Sequence, residues 1–508
     1  MMIANNIDNR CKFYALILFL ILSLSGCSFA RGDVFSSLSG GDSLRLSIQE
    51  SILLALENNP TVSIQRLQPE IEKTFAREYR AAFDPQLNIS ASQDKNKTQR
   101  FLGAARNPFE LTTERSQYNA SLTETLPTGT DIAASASLSG TLSSIYTDQY
   151  SGNLGLTITQ SLLQGAGTGA NLATLRQARL DVEISREELK AVAENLVADV
   201  ENAYWSLYLA AEEISIQKQS LELANKQLQE SLERVAVGKL PELELAAVHA
   251  EVSARQEALI DASSNYQQAR LRFLYLLNPS MDTEWRTVTM LADRPFVPVD
   301  TLADVSAHEE LGLKYRSDLK QAYYALQKGE LEIQRTKNGL LPRLDLFISL
   351  SRTTYAESFR DGLPDIKSPF YDVNVGLTFD FPVINRQARA QSARARWSKD
   401  QLELSVENMK RLVQWDVRAA YIEVLRSREQ IQATRVTREL QDKKLAAELE
   451  KFRVGKSTNF LVLQAQSDLT ASRLDEARSM VSYLNSLIRL YLVEGTLLER
   501  RGINSPAA

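Results

Sequence analysis

Cysteine is almost absent from this chain of 508 residues, which carries only Cys11 and Cys27. The sequence after residue 27 therefore has no thiol to form a disulfide, to ligate a metal or to act as a nucleophile. Histidine is equally scarce, and neither His249 nor His308 stands at metal-ligand spacing from other donors. The sequence thus predicts no catalytic residue, no metal site and no cofactor, and we interpret both histidines as solvated or capping residues.

Helix breakers, positive charge and long apolar runs are also limited. The chain has 21 Gly and 14 Pro, few enough to permit long uninterrupted helices. Its formal net charge of −5 argues against a nucleic-acid partner. Beyond the N-terminal segment no run of about eighteen apolar residues occurs, so no membrane-spanning helix is predicted there.

The N-terminal segment has the pattern of a secretory lipoprotein signal. Two basic residues precede the apolar run 15–25, which is too short for a comfortable membrane span. The string LSGC at 24–27 then has the form of a bacterial lipoprotein signal. We expect acylation of Cys27 after cleavage and, because Ser28 is not acidic, export to the outer membrane. An ordinary signal peptide that contains a cysteine is the alternative.

An internal repeat is the most informative pattern that is present. DVENAY at 199–204 recurs as DVRAAY at 416–421, and ERVAVGK at 233–239 recurs as EKFRVGK at 450–456. Both pairs are offset by 416 − 199 = 217 positions. A gap-free match of helix-like sequence predicts a duplicated helical hairpin, so one chain would supply two quasi-equivalent units of a tubular wall.

Apolar residues spaced three and four apart predict two very long helices, each about 100 Å in length, with returning and shorter helices around them. Small residues such as Ala203, Ala210 and Ala224 would allow close lateral packing. A fibrous coiled-coil rod is the alternative for the helices alone. The predicted helices are about 46–83, 171–235, 242–277, 309–340, 388–452 and 458–494.

Other segments alternate between apolar and polar residues with a period of two, which is typical of strands with one apolar face. The candidates are 86–92, 118–126, 132–138, 154–162, 344–351 and 372–381. Aromatic residues gather near their ends, as in an interfacial belt: Tyr118, Tyr146, Tyr150, Tyr355, Phe370 and Tyr371. Four to six strands cannot close a membrane barrel, so we expect several copies to join. A soluble sandwich is the alternative.

Together these segments resemble the TolC-type outer-membrane efflux proteins over essentially the whole mature chain. The matching strings are LRLSIQESILLALENNP at 44–60, the two Asp-Val-x-x-Ala-Tyr strings, the two Val-Gly tips, and VLQAQSDLTASRLDEA at 462–477. The resemblance implies a mainly α fold with a transmembrane β-barrel portion. Duplicated long helical hairpins would form an α-barrel, and strands would be contributed to a barrel shared by a homotrimer.

The function that this resemblance implies is a passive exit duct of a tripartite efflux or type I secretion-like system. Outer-membrane lipid would surround the barrel, a periplasmic adaptor protein would dock on the helical tips, and an inner-membrane transporter would supply the energy. No enzyme activity is expected. A periplasm-spanning structural lipoprotein without a pore is the alternative.

The resemblance also implies site residues. The adaptor-contact tips would be Val237, Gly238, Lys239 and Leu240 in the first repeat and Val454, Gly455, Lys456 and Ser457 in the second. Glu244 would line the periplasmic aperture, and the corresponding places in the second repeat are occupied by Leu461 and Gln464, which are not acidic. Simple turns and a solvated surface glutamate are the alternatives.

The predicted organisation follows the repeat. It comprises a signal peptide at 1–26, an acylated linker at 27–43, a first repeat at 44–290 with strands at about 86–162, a second repeat at 291–500 with strands at about 343–383, and a tail at 501–508. The resemblance implies four strands per protomer. The surplus pair at about 118–140 is then either an external hairpin or an addition that widens the barrel.

Overall fold

The computed structural model describes residues 44–100, 109–144, 147–278, 289–297 and 302–503. The predicted signal peptide, Cys27 and Tyr146 lie outside these residues. The described residues other than Leu44 and 289–290 form one compact unit.

The helices are α1 Ile48–Asn58, α2 Pro60–Arg80, α3 Thr168–Asn171, α4 Ala173–Ala236, α5 Glu244–Leu277, α6 Val305–Tyr315, α7 Ser317–Asn338, α8 Arg386–Arg453, α9 Asn459–Glu494 and α10 Leu497–Arg500. The strands are β1 Leu44–Leu46, β2 Gln86–Arg100, β3 Phe109–Leu126, β4 Thr130–Ser143, β5 Gln149–Ser161, β6 Thr289–Leu291, β7 Arg343–Ala356 and β8 Phe370–Asp380.

The two longest helices confirm the predicted duplication. Helix α4 has 64 residues and α8 has 68, so each runs for about 100 Å. They end at Ala236 and Arg453, which are 453 − 236 = 217 positions apart. The returning helices α5 and α9 end at Leu277 and Glu494, again 494 − 277 = 217 positions apart. The repeat offset read from short strings therefore holds to the ends of both hairpins.

The long helices pack side by side in an order that changes along the molecule. Toward the helical tips the order is α5, α4, α9, α8, and toward the sheet it is α2, α4, α7, α8. The predicted small residues Ala203, Ala210 and Ala224 are all buried, as close packing of α4 requires. Helix α8 therefore forms one side of the layer over its whole length, and α2 and α5 form the other.

Two shorter helices were predicted as continuous, and both predictions were wrong. The first is divided into α1 and α2 at Asn59, whose side chain accepts a hydrogen bond from the Thr61 amide at 2.9 Å. Pro60 begins α2, where its missing amide hydrogen costs no helical bond. The second is divided into α6 and α7 at Arg316, whose Nη1 lies 2.6 Å from an Asp416 carboxylate oxygen on α8.

All six predicted strands are present and form one antiparallel sheet in the order β2-β3-β4-β5-β7-β8. The β3–β4 hairpin pairs with β2 on one side and with β5 on the other. The surplus pair therefore lies inside the sheet of the protomer, between β2 and β5. The two edges are β2, which follows α2, and β8, which precedes α8, so each edge continues one side of the helical layer.

Tyr204, the last residue of the first repeated string, anchors the start of the described chain. Its side chain is fully buried. The Tyr204 hydroxyl donates to the Leu46 carbonyl at 3.2 Å and accepts from the Asp293 amide at 2.9 Å. The Asp293 carboxylate in turn accepts from the Ile48 amide at 2.8 Å. The tyrosine of this string therefore has a structural role at the junction of β1 and α1.

Glu194 is a buried carboxyl group in the middle of α4. Burial raises its pKa to about 7, while the attraction of Lys190 and repulsion from Glu187 act in opposite directions. The Lys190 Nζ lies 3.7 Å from the Glu194 Oε1, but it donates its hydrogen bonds to the Tyr315 and Gly495 carbonyls. The carboxylate is therefore only weakly compensated when it ionises.

We expect Glu194→Gln to stabilise the protein at pH 8 and to change its stability little at pH 5. The pKa of Glu194 in the folded state, about 7, exceeds the ordinary value of 4.5, so the folded state binds more protons than the unfolded state between these pH values. The contribution of Glu194 to the free energy of unfolding therefore falls as pH rises from 4.5 to 7. The loss amounts to about 3 kcal/mol at most. Urea unfolding of detergent-solubilised protein at both pH values measures it.

A matched control for Glu194→Gln is Glu222→Gln, at an exposed glutamate of the same helix that pairs with Lys226. Its effect should be small at both pH values. An equal gain from Glu194→Gln at pH 5 and pH 8 would show that ionisation of Glu194 is not the cause.

Candidate functional site

Two neighbouring rows of residues across the sheet show how its faces differ. In one row every strand contributes an apolar residue: Leu87, Leu122, Ala134, Leu156, Leu350 and Val373. In the next row every strand contributes a polar residue or glycine: Asn88, Ser121, Ser135, Gly155, Ser351 and Asp372. Because successive side chains point to opposite sides of a strand, one face of the sheet is apolar and the other is polar.

The apolar face is open and not packed on a core. Leu87 is 66% exposed, Leu350 is 45% exposed and Val373 is 54% exposed. This face lines a groove that crosses the sheet from β2 to β8. A soluble sandwich would bury such a face against a second layer, so the exposure argues against that alternative.

The polar face carries hydrogen bonds between side chains of adjacent strands. The bonded pairs are Ser139 with Ser151 at 2.9 Å, Asn153 with Thr353 at 3.1 Å, Thr157 with Ser349 at 3.0 Å, and Ser161 with Asp345 at 2.9 Å. Hydroxyl and amide groups of this kind suit a surface that faces water inside a barrel.

Aromatic side chains lie near the loop end of the sheet, but on both faces. The Phe359 ring packs edge-on against Tyr118 and Tyr150, with ring centroids 6.0 and 6.1 Å apart. The strand register places both tyrosines on the apolar face. Tyr355 and Phe370 pack together at 5.9 Å and belong by register to the polar face. Only part of the predicted belt therefore faces the same way as the apolar row.

The two long hairpins reverse direction through the same backbone motif. Gly238 and Gly455 have φ values of 73° and 75°, which favour glycine. The amide that follows each glycine donates to a carbonyl five residues earlier, at 2.8 Å in both repeats. This bond and the one made by the glycine amide form a Schellman cap. The predicted sharp turn with positive φ is confirmed at both tips.

The two tips lie side by side. The Arg234 guanidinium carbon is 4.1 Å from the centre of the Phe452 ring, and Arg234 Nη1 donates to the Phe452 carbonyl at 3.1 Å. Val237 and Val454 are each 67% exposed. Lys239 and Lys456 are exposed, and Leu240 and Ser457 are half-buried. The structure thus brings both predicted tips into one surface, and it adds Arg234 and Phe452, which lie within the two repeated strings but were not predicted as site residues.

The predicted aperture residues lie just beyond the tips. Glu244 is the first residue of α5, and Leu461 occupies the equivalent place in the first turn of α9. All three aperture residues, including Gln464, are exposed. One protomer alone therefore offers one acidic side chain among these positions.

None of the helices in the described part of the chain combines the length and the apolar character of a membrane-spanning helix.

The two histidines differ in burial, and His308 departs from its prediction. His308 is buried, and its Nδ1 lies 2.5 Å from Glu494 Oε1, so its interpretation as a solvated or capping residue was wrong. His249 is exposed. The described part of the chain contains no group of three or more His, Cys, Asp or Glu side chains that could hold a metal ion.

An ion pair between Glu201 and Arg501 joins α4 to the C-terminal segment. Glu201 is fully buried, and its two carboxylate oxygens accept from Arg501 Nε at 2.6 Å and Arg501 Nη2 at 2.7 Å. The only sequence signal was that the repeat has Arg418 at the position equivalent to Glu201. That difference between repeats could have marked Glu201 as special, but it could not identify the partner.

An amphipathic antiparallel sheet with an exposed apolar face, continuous with a layer of helices about 100 Å long, defines a class of protein. It is the α-barrel and β-barrel architecture of outer-membrane channels, and it is not an enzyme scaffold. The chain belongs to the outer membrane efflux protein family, whose model matches residues 52–278 and 310–496.

Individual relatives agree with this assignment. The chain is 22% identical over 328 residues to the outer membrane efflux protein BepC of Brucella suis, a match that covers 64% of this chain and 67% of BepC. It is 24% identical over 323 residues to the pyoverdine export outer membrane protein OpmQ of Pseudomonas putida, covering 62% and 64%. The open-state outer membrane channel MtrE of Neisseria gonorrhoeae has the same fold, with a TM-score of 0.64, 17% identity and coverage of 89% of both chains.

Proposed function

We propose that three copies of this chain form the exit duct of a tripartite efflux or type I secretion-like system in the outer membrane of a Gram-negative bacterium. The duct is passive, and an inner-membrane transporter supplies the energy. The observation that carries this proposal is the row of apolar side chains that crosses all six strands and is exposed on every strand except β4, where Ala134 is half-buried. Such a face is stable in lipid and unfavourable in water.

Both sides of the protomer have an edge strand and exposed apolar side chains that an identical neighbouring copy could pair with and cover. Within the described residues, the edge strands β2 and β8 each pair on one side only. Exposed apolar side chains continue below these edges on α2, at Ile64, Leu67, Ile71, Phe75 and Tyr79, and on α8, at Trp397, Leu404, Trp415, Ile422 and Leu440. A contact of β8 and α8 with β2 and α2 of the next copy is head-to-tail, and repetition of such a contact closes a ring.

Ring closure also sets a requirement for the sheet. In one protomer the apolar face lines the open groove from Leu87 to Val373. The sheet must open outward for this face to meet lipid around a barrel. No ladder joins β2 to β8 among the described strands, so the groove has no hydrogen bonds that would resist such opening.

The adaptor contact is assigned to the tip residues 237–240 and 454–457. The two tips form one exposed surface at the end of the helices farthest from the sheet, and each presents an exposed valine beside an exposed lysine. Glu244 belongs to the aperture that lies next to this surface. Three copies would bring three such carboxylates around one axis, and a ring of carboxylates favours cations.

Replacing both tip glycines by proline, Gly238→Pro and Gly455→Pro, is expected to abolish capture of co-expressed adaptor protein in a pull-down. Proline requires φ near −65° and cannot donate the amide hydrogen bonds that Gly238 and Gly455 make at 2.9 and 3.1 Å. Val237→Asp with Val454→Asp should weaken capture without changing the backbone. The trimer band on a gel is the control for folding, and retained capture by all variants would refute the assignment.

Lipid anchoring through Cys27 is a further part of the proposal, supported by the LSGC string at 24–27. The mass of the mature N-terminal peptide tests it. An unmodified Cys27 would leave anchoring to the barrel alone.

Conductance of the purified protein in planar bilayers tests the central function. A duct gives discrete conductance steps, whereas a structural lipoprotein that merely spans the periplasm gives none. On fractionation of cells the protein should be recovered with the outer membrane, and the purified protein should migrate as a trimer.

A further inference from the structure

We propose that the β3–β4 hairpin is part of the pore wall, so that three copies close a barrel of eighteen strands and not of twelve. The proposal rests on the trimeric duct described above and specifies how its membrane part is built. Six strands per protomer form one uninterrupted ladder, and the hairpin occupies its second and third places.

The side chains of the hairpin match those of a membrane wall. Leu122 and Ala134 continue the apolar row between Leu87 and Leu156, and Ser121 and Ser135 continue the polar row. A hairpin outside the membrane would have no reason to keep this division in register with its neighbours, because a shift of one residue exchanges the two faces. The agreement of both rows across all six strands therefore favours one common environment for the whole sheet.

The turn of the hairpin is fixed at the base of the sheet. The Gly129 carbonyl accepts from the Ser161 amide at 2.9 Å, at the point where β5 leaves the sheet. Asn171 Nδ2 donates to the Pro127 carbonyl at 3.1 Å and to the Gly165 carbonyl at 2.7 Å. A Cβ on Gly129 would lie 2.1 Å from the Gly165 carbonyl oxygen. The turn is thus packed tightly against the junction of strand and helix, as a wall element requires.

Six strands also match the width of the helical layer. With strands about 4.8 Å apart and tilted by about 40°, six strands cover about 38 Å of circumference and four cover about 25 Å. Four helices side by side, at about 9 Å spacing, cover about 36 Å. Each protomer has four helices abreast at either level. An eighteen-stranded barrel therefore continues the helical duct without a narrowing at their junction.

Paired cysteines can determine the strand order in the assembled trimer. We expect Asn88→Cys with Ser121→Cys, and Ser135→Cys with Gly155→Cys, to form disulfides on oxidation, because each pair is directly opposed across adjacent strands. Asn88→Cys should not cross-link to Asn153→Cys, Gly155→Cys or Thr157→Cys, since β3 and β4 separate β2 from β5. Loss of thiol alkylation, measured by mass in the outer-membrane trimer, is the readout.

Cross-linking of β2 directly to β5, or failure of both expected pairs in the trimer, would overturn the eighteen-stranded wall. Conductance of the same variants under reducing conditions separates this result from a failure of the duct itself, since a twelve-stranded pore would still conduct. As an independent check, Gly129→Ala should lower the trimer yield several-fold more than Gly167→Ala. Both glycines have positive φ, but a Cβ at Gly167 would meet nothing within 4 Å. Equal yields would contradict a fixed turn.

Discussion

Leu350→Arg is expected to abolish assembly of the protein in the outer membrane, while Ser351→Arg, one position away, is expected to be tolerated. Leu350 belongs to the apolar row and is 45% exposed on that face, between Leu156 and Val373. Arginine on the lipid face of a barrel costs about 2–4 kcal/mol near the bilayer midplane. Three copies incur this cost together, about 6–12 kcal/mol per trimer, which is comparable to the whole stability of a typical domain.

Ser351 is the matched control because it lies on the same strand with its side chain on the polar face, between Gly155 and Asp372. An arginine there would extend into water. The measurement is the amount of trimer recovered from the outer-membrane fraction, with total expression as reference. Equal recovery of the two variants would show that the apolar face does not meet lipid, and it would remove the observation on which the duct depends.

Arg501→Ala is expected to destabilise the folded protomer by about 3 kcal/mol. Removing the guanidinium leaves the Glu201 carboxylate fully buried without its two charge-assisted hydrogen bonds at 2.6 and 2.7 Å. Breaking a buried pair by removing one partner costs about 3–5 kcal/mol, and the partial exposure of Arg501 places the effect at the lower end. The midpoint of urea unfolding in detergent measures the change.

Arg478→Ala provides the comparison for this effect. Arg478 pairs with Glu213 at 3.0 Å, but its side chain is 56% exposed, so its loss should cost less than about 1 kcal/mol. Replacing Glu201 as well, in Glu201→Gln with Arg501→Ala, should recover part of the stability because no charge is then left buried. If Arg501→Ala shifts the midpoint no more than Arg478→Ala, the pair does not hold the C-terminal segment in place.

The elements that the sequence predicted best are those encoded by neighbours along the chain. The helix-like repeat with a constant offset of 217 positions placed α4, α5, α8 and α9 within a few residues of their observed ends. All six strands were recognised by a period of two, although β2 and β3 are several residues longer than predicted. Their outer ends, where Lys95 pairs with Glu114 at 2.5 Å, are charged and do not alternate, so periodicity could not reveal them.

The tip glycines are site residues whose position and backbone conformation could be predicted from the sequence alone. Only a residue without a Cβ readily takes φ near 75° at the end of a long helix, and the same string occurs in both repeats. The contact between Arg234 and Phe452 could not be predicted in this way, because the two residues belong to different hairpins and are 218 positions apart in the chain.

The amino-acid order by itself determined the periods, the duplication and the positions of turns, since each depends on the conformational preferences of adjacent residues. The tertiary structure alone decided which strands are neighbours, and so placed β3 and β4 between β2 and β5. It alone also paired His308 with Glu494, 186 positions away, and Glu201 with Arg501, 300 positions away. In both pairs the buried carboxyl group is compensated by a partner far away in the sequence, and the packing of the helices, not a local pattern, brings that partner near.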